Sequence, residues 1–137
     1  MKIAICSSMV FAENMLETKE KLEKLGHEVL ISDFIGSYAG KNEKEKERLT
    51  LLDKNEKDAI RRFWNKIKKS DAILVLNYDR RGVKNYIGGN TLMEIGFAHV
   101  LGKKIFLLNP IPEIEFYKSE IEAVRPVIIN GDLARIK

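Results

Sequence analysis

Five consecutive residues, Ala72-Ile73-Leu74-Val75-Leu76, are apolar without interruption and are bracketed by Asp71 and Asn77. A strand with one wet face alternates apolar and polar residues, whereas a run with no polar face must be covered on both sides. That is the condition of a strand in a parallel sheet held between helices. Four further short runs, Lys2–Cys6, Glu28–Ser32, Lys104–Leu108 and Val127–Ile129, read as strands and alternate with helical patterns. Ala12–Leu25 puts Ala12, Met15, Leu16, Leu22 and Leu25 on one helical face and meets Gly26 as its terminator. Lys54–Lys69 carries Ala59, Ile60, Phe63, Trp64 and Ile67 in one stripe, with a helix over residues 42–53 ahead of it. Thr91–Leu101, closed by Gly102, and Ile114–Val124 complete the helices, and Phe34–Lys41, with Gly36 and Gly40, reads as a loop. The pattern predicts an α/β fold: one domain over 1–137, a doubly wound three-layer sandwich of flavodoxin or Rossmann-like type. Its five-stranded parallel sheet takes the order 2-1-3-4-5, because right-handed crossovers then cover both faces.

With 137 residues the chain is long enough to bury a real core, and its longest apolar runs fall far short of the ~20 residues a spanning helix needs. The first residues are too short an apolar stretch for a secretory signal, and Cys6 is the only cysteine, so a reducing cytoplasm is expected. Residues 41–69 hold 11 basic and 6 acidic side chains, but the signs are interleaved and no aromatic residues alternate with them to stack bases. Such a segment reads as a solvated helix face, and no nucleic-acid partner is expected. Two histidines and one cysteine are scattered without metal-ligand spacing, so neither a metal nor another cofactor is expected.

In open α/β sheets, ligands bind outside the carboxyl ends of the strands where the strand order reverses. In order 2-1-3-4-5 that crevice lies between strands 1 and 3, whose ends are followed by Ser7-Ser8-Met9 and Asn77-Tyr78-Asp79-Arg80. The third loop then delivers Gly88-Gly89-Asn90-Thr91 to the next helix. Two glycines there let backbone approach a ligand, and the first-turn N–H groups face it. Ser7, Ser8, Asn77, Gly88, Gly89, Asn90 and Thr91 are therefore the candidate binding residues.

With Asn90 or Thr91 as N-cap, Glu94 falls in the first helical turn, its carboxylate directed toward the crevice and kept ionised by the helix dipole. It is the only charged residue in Gly88–Thr91 and the seven residues that follow. The same spacing suits the back half of a capping box, and spacing alone leaves both roles open.

The strand Asp71–Asn77, the glycine turn, Glu94-Ile95-Gly96-Phe97-Ala98 and the following Gly102-Lys103-Lys104-Ile105 resemble the nucleoside 2-deoxyribosyltransferase superfamily, which includes 2-deoxynucleoside 5-monophosphate N-glycosidases. The resemblance runs over about residues 1–110 and implies a doubly wound fold, an oligomer of two or more subunits, and Glu94 as nucleophile at the anomeric carbon. An aspartate before the catalytic helix is also common there, and Asp79 is the nearest candidate. Two positions depart from the pattern. Phe63 stands where the family usually has an aspartate, and the first strand, with Ala4-Ile5-Cys6, lacks the usual tyrosine. Gly88–Glu94 also resembles, one residue shorter, the Gly-Gly-x-Gly-Thr-x-x-Glu loop of cytokinin-activating phosphoribohydrolases, which cut the same kind of bond.

Cleaving a base from a sugar passes through an oxocarbenium-like state that a carboxylate below the ring stabilises or captures, as in retaining glycosidases. The expected activity is therefore hydrolysis or transfer at the N-glycosidic bond of a nucleoside or nucleoside 5-monophosphate. Glu94 acts as nucleophile, Asp79 protonates the leaving base, and the serines and turn N–H groups hold a phosphate or ribose hydroxyl. Arg80 and Arg81 lie close enough in sequence to add charge to a phosphate. The two departures keep a second reading open, a non-catalytic nucleotide-binding or sensor module on the same fold.

Overall fold

The computed structural model describes residues 1–137. Its sheet has five parallel strands, β1 (Lys2–Cys6), β2 (Glu28–Leu30), β3 (Ala72–Val75), β4 (Lys104–Leu107) and β5 (Val127–Ile128), in the order β2-β1-β3-β4-β5. The α/β architecture and strand order expected from the apolar runs are those observed. The helices are α1 (Ala12–Lys24), α2 (Ile35–Tyr38), α3 (Glu43–Glu56), α4 (Ala59–Lys69), α5 (Gly89–Val100) and α6 (Lys118–Ala123).

The two-residue period of a strand divides the core into two layers. Ile3, Ile5, Leu74, Leu76 and Phe106 pack with Met15 and Leu22 of α1 and with Ile136. Ala4, Cys6, Ile73, Val75, Ile105 and Leu107 point the other way and pack with Phe63 and Ile67 of α4, Ile95 and Ala98 of α5, and Ile121 of α6. Every residue from Ala72 to Leu76 is buried, as an uninterrupted apolar run requires. Truncating one of the central residues, such as Leu74→Ala, removes contacts on a surface that cannot collapse and costs about 2–5 kcal/mol.

The differences from the sequence reading lie at element ends and in the connection after β2. Strands β2 and β3 are shorter than the apolar runs that encode them. Phe34–Lys41 is not all loop: it contains the one-turn α2, whose Tyr38 is buried. The helix over 42–53 extends to Glu56, starts at an Asn42 cap whose Oδ1 accepts from Glu45 N–H at 2.9 Å, and breaks at Lys57-Asp58. Asp58 adopts a left-handed φ of 50° there. Helix α3 is tied to α1 by the buried Lys46, whose Nζ donates to Glu13 Oε2 at 2.6 Å and to the Val10 carbonyl at 3.1 Å. This bond and a second from Gly40 N–H hold the Glu13 carboxyl down at about 2. No helix is long and apolar enough to cross a membrane.

Candidate functional site

The ends of β1 and β3 lie side by side, and the segments that leave them open a cleft with two joined compartments. The inner one, about 50 Å³, is bounded by Cys6 and Ser7 from β1, Phe34 and Tyr38 around α2, Asp53 from α3, Phe63 from α4, and Asn90 and Glu94 from α5. The outer one, about 320 Å³, is bounded by Ser7, Ser8, Glu47, Arg80, Arg81, Tyr86 and the turn Gly88–Thr91. Ser7, Met9, Thr50, Lys54 and Asn90 border both. Only the outer compartment has the volume of a small-ligand site, so a ligand's body must sit there with one part directed inward.

Helix α5 begins two to three residues earlier than its expected cap residues, Asn90 or Thr91. Gly88 is the N-cap with extended backbone and no side-chain bond, which places Glu94 six residues into the helix. A capping box needs its acidic residue in the first turn, so that role is excluded for Glu94. The residue is 8% exposed and borders the inner compartment; its carboxyl makes no hydrogen bond or ion pair within the protein, and its oxygens keep access to the cleft. Burial alone pushes its carboxyl up to about 8. The expected anion is therefore a mostly neutral acid at pH 7, because the dipole of a helix start falls off within one turn and desolvation dominates beyond it. Phe63, and Ile5 and Cys6 of the apolar first strand, border the same compartment and supply part of that apolar surrounding. Burial and the nearby Glu94 raise the Cys6 thiol as well, so it is no ready nucleophile.

Six of the seven candidate binding residues border the cleft. Ser7 Oγ donates to the Leu76 carbonyl at 3.0 Å, knitting β1 to β3 at the point where strand order reverses. Ser8 Oγ accepts from Arg80 Nη1 at 3.2 Å. A Cβ at Gly88 would come to 3.3 Å from the Tyr86 ring and hydroxyl, so that side chain would have to shift slightly. Asn90 borders both compartments, Gly89 and Thr91 border the outer one, and the Ile87 carbonyl just before the turn accepts from Tyr117 Oη. Asn77 is elsewhere. Fully buried, it donates to the Asn109 and Pro110 carbonyls at 2.9 and 3.1 Å and accepts from Asn109 N–H at 2.9 Å. Asp79 also borders neither compartment: its exposed carboxylate accepts from Asn85 N–H at 2.9 Å and shapes the loop.

Several cleft residues gave no local signal in the sequence. Tyr38 Oη donates to Asp53 Oδ2 at 2.6 Å, both residues are buried, and Lys57 Nζ lies 3.5 Å from Asp53 Oδ1. Burial first, and the Asp53 carboxylate second, keep the Tyr38 phenol well above its usual range, so it remains a proton-bearing donor. Arg80, its side chain 11% exposed, reaches Glu47 Oε1 at 2.8 Å and Glu43 Oε1 at 3.4 Å and stacks over the Tyr86 ring at 5.8 Å. Several of the interleaved charges of residues 41–69 are thus spent on joining α3 to α1 and to the loop after β3.

No protein-family model and no curated protein matches the chain. Solved structures do. A 2-deoxyribosyltransferase from Bacillus psychrosaccharolyticus superposes with a TM-score of 0.51 at 20% identity, over 78% of this chain and 71% of that one. The CMP N-glycosidase BcmB of Clostridium botulinum superposes with a TM-score of 0.51 at 21% identity, over 95% of this chain and 90% of that one. At that identity the likeness establishes a shared fold, the doubly wound fold that the family resemblance implies.

Proposed function

We propose that the protein cleaves or transfers at the N-glycosidic bond of a nucleoside or nucleoside 5-monophosphate, with Glu94 as nucleophile. The observation that carries this reading is a largely buried carboxyl group that makes no bond within the protein and opens on a cleft at the switch point of the sheet. An unpaired buried acid is costly to keep, and its setting is the one in which a carboxylate gains most when positive charge develops beside it. The two structural neighbours, a deoxyribosyltransferase and an N-glycosidase, share the fold and support the same bond.

In this reading the sugar lies at the junction of the compartments, where Ser7 and Asn90 border both. A Glu94 oxygen attacks the anomeric carbon as the bond to the base nitrogen breaks, the electron pair leaving with the base, which then takes up a proton. Water, or a second base in a transferase, displaces the glutamyl ester and regenerates the carboxylate. The outer compartment takes the 5-substituent. Gly88–Thr91 supplies main-chain N–H groups, and Arg80 and Arg81 supply charge for a phosphate. Asp79, held in its own loop, is not aimed at the base. Tyr38 and Asp53 border the compartment that holds Glu94, and we assign them to contacting the base.

We further assign a homo-oligomer of at least two subunits, formed through the shallow apolar hollow of Ile60, Trp64 and Phe97 on α4 and α5. The deciding experiment incubates the protein with a panel of nucleosides and 5-monophosphates and reads free base. Release from at least one supports the assignment. Tight nucleotide binding with no release over long incubation would instead make the cleft a sensor site.

A further inference from the structure

In a parallel sheet the amino and carboxyl ends of the strands lie at opposite poles, and the cleft occupies only the carboxyl pole. At the amino pole, where β4 and β5 begin, a second hollow of about 440 Å³ is bordered by Lys103, Lys104, Arg125, Arg135, Lys137 and His99. No aspartate or glutamate borders it. The twelve ion pairs of the chain lie elsewhere, and none involves these five cations. Lys103 Nζ donates to the Lys68 carbonyl at 3.0 Å and Lys104 Nζ to the Lys137 main-chain oxygen at 2.9 Å, which orients both without neutralising either by an acidic side chain.

Cations at this pole have one ordinary use, since α4, α5 and α6 end here, a helix C-terminus carries about half a negative charge, and Lys103 bonds the Lys68 carbonyl in the last turn of α4. Three helix ends offset about one and a half of the five charges, which leaves the hollow more than about three positive. Concentrating that much like charge in a concavity raises the local potential and costs stability unless an anion shares the space. The wall also has an apolar part, Val124 and the half-exposed Val127 on the edge strand. The volume is that of a small-molecule site.

We propose that this hollow binds a small, phosphate-rich anion of the nucleoside triphosphate class, at a site separate from the cleft. The phosphate chain matches the lysines and arginines, which present their donors around one space, and the apolar wall takes the uncharged end.

The test is calorimetric titration of the intact protein with inorganic tripolyphosphate and with ATP at low and moderate salt. Saturable binding of tripolyphosphate at one site per chain is expected in the hollow, weakened at least tenfold in Lys103→Glu/Arg135→Glu and unchanged in Lys24→Glu, an exposed α1 position that borders neither the cleft nor the hollow. ATP should bind the hollow more tightly than tripolyphosphate if the apolar wall takes part. Arg135 is exposed and Lys103 half-buried. Circular dichroism checks the double variant's fold, and the single changes Lys103→Gln and Arg135→Gln, each expected to weaken binding severalfold, serve if it is perturbed. Absence of saturable binding at millimolar tripolyphosphate, or equal affinity in the hollow variants, overturns the proposal. So does binding of several chains along one single-stranded oligonucleotide more tightly than either small anion, which would make the pole a nucleic-acid surface.

Discussion

Arg80 and Glu47 meet across the mouth of the cleft, Nη2 to Oε1 at 2.8 Å, joining the loop after β3 to α3. The Arg80 guanidinium also donates to Ser8 from the end of β1, so one side chain links three of the segments that frame the outer compartment. Because Glu47 is substantially exposed, the pair contributes little stability, about 0–1 kcal/mol. Its value lies in placing a cation beside the glycine turn. Arg80→Ala should therefore leave the melting temperature within a few degrees while raising KM for a 5-monophosphate at least tenfold. The corresponding nucleoside should be much less affected. Steady-state kinetics on the matched pair of substrates checks this, and equal effects on both would remove the phosphate assignment.

Glu94→Gln keeps the shape of the side chain and removes its capacity to become an anion. Turnover should drop by orders of magnitude with nucleotide affinity retained, because the lost interaction belongs to the transition state. Base release by the variant at the wild-type rate would end the nucleophile assignment.

The same carboxyl makes a prediction about stability. Its pKa is about 8 in the folded chain and lies in the ordinary carboxylate range when unfolded. Between those values the unfolded chain has lost the proton that the folded chain keeps, so this group's contribution is full below about pH 4.5 and declines up to about pH 8. Glu94→Gln should be nearly neutral toward stability at pH 4 and stabilising at pH 8.5. Urea unfolding of both proteins at the two pH values measures the difference, and a pH-independent difference would contradict the buried setting.

Reactivity should follow the opposite course. A nucleophile must be ionised, so kcat/KM is expected to rise with pH and level off above about 8. A profile that falls through this range would assign Glu94 to proton donation instead.

Tyr38→Phe deletes the only hydroxyl bonded to the buried Asp53 carboxylate, leaving it with Lys57 at 3.5 Å. Loss of one partner from a buried polar pair costs about 1–3 kcal/mol, readable by urea unfolding. If the pair also contacts the base, the variant should shift the ranking of bases in the substrate panel, which a purely structural bond would not do.

The legibility of the chain divides along physical lines. Strand order could be read because the uninterrupted run of Ala72–Leu76 and the periodicity around it are consequences of burial, and burial is written locally. The glycine turn ahead of α5 could be read because turn chemistry is local too, although the helix starts at Gly89 and not at Thr91. The protonation state of Glu94 could not, since it depends on Cys6 and Phe63 arriving from other elements to exclude water. Asn77 and Asp79 follow the strand as cleft residues would, yet one turns toward Asn109 and the other toward Asn85, choices made by loops with no periodic signal. Tyr38 and Asp53 lay in a loop and a charge run, and only tertiary packing makes them a buried pair.

The reciprocal bonding of Asn77 with Asn109 differs in kind from the Arg80–Glu47 contact. Asn77 Oδ1 accepts from Asn109 N–H while Asn109 Nδ2 donates to the Asn77 carbonyl, so neutral groups lock the ends of β3 and β4 together. Ionic strength weakens charged clasps and leaves neutral amide bonds almost untouched. The two flanks of the molecule's working end thus answer to different solvents: in brine the α3 side should loosen while the β3–β4 side holds its shape. For an engineer seeking new substrates, the α3 side is the part to vary, and the asparagine lock is the part to keep.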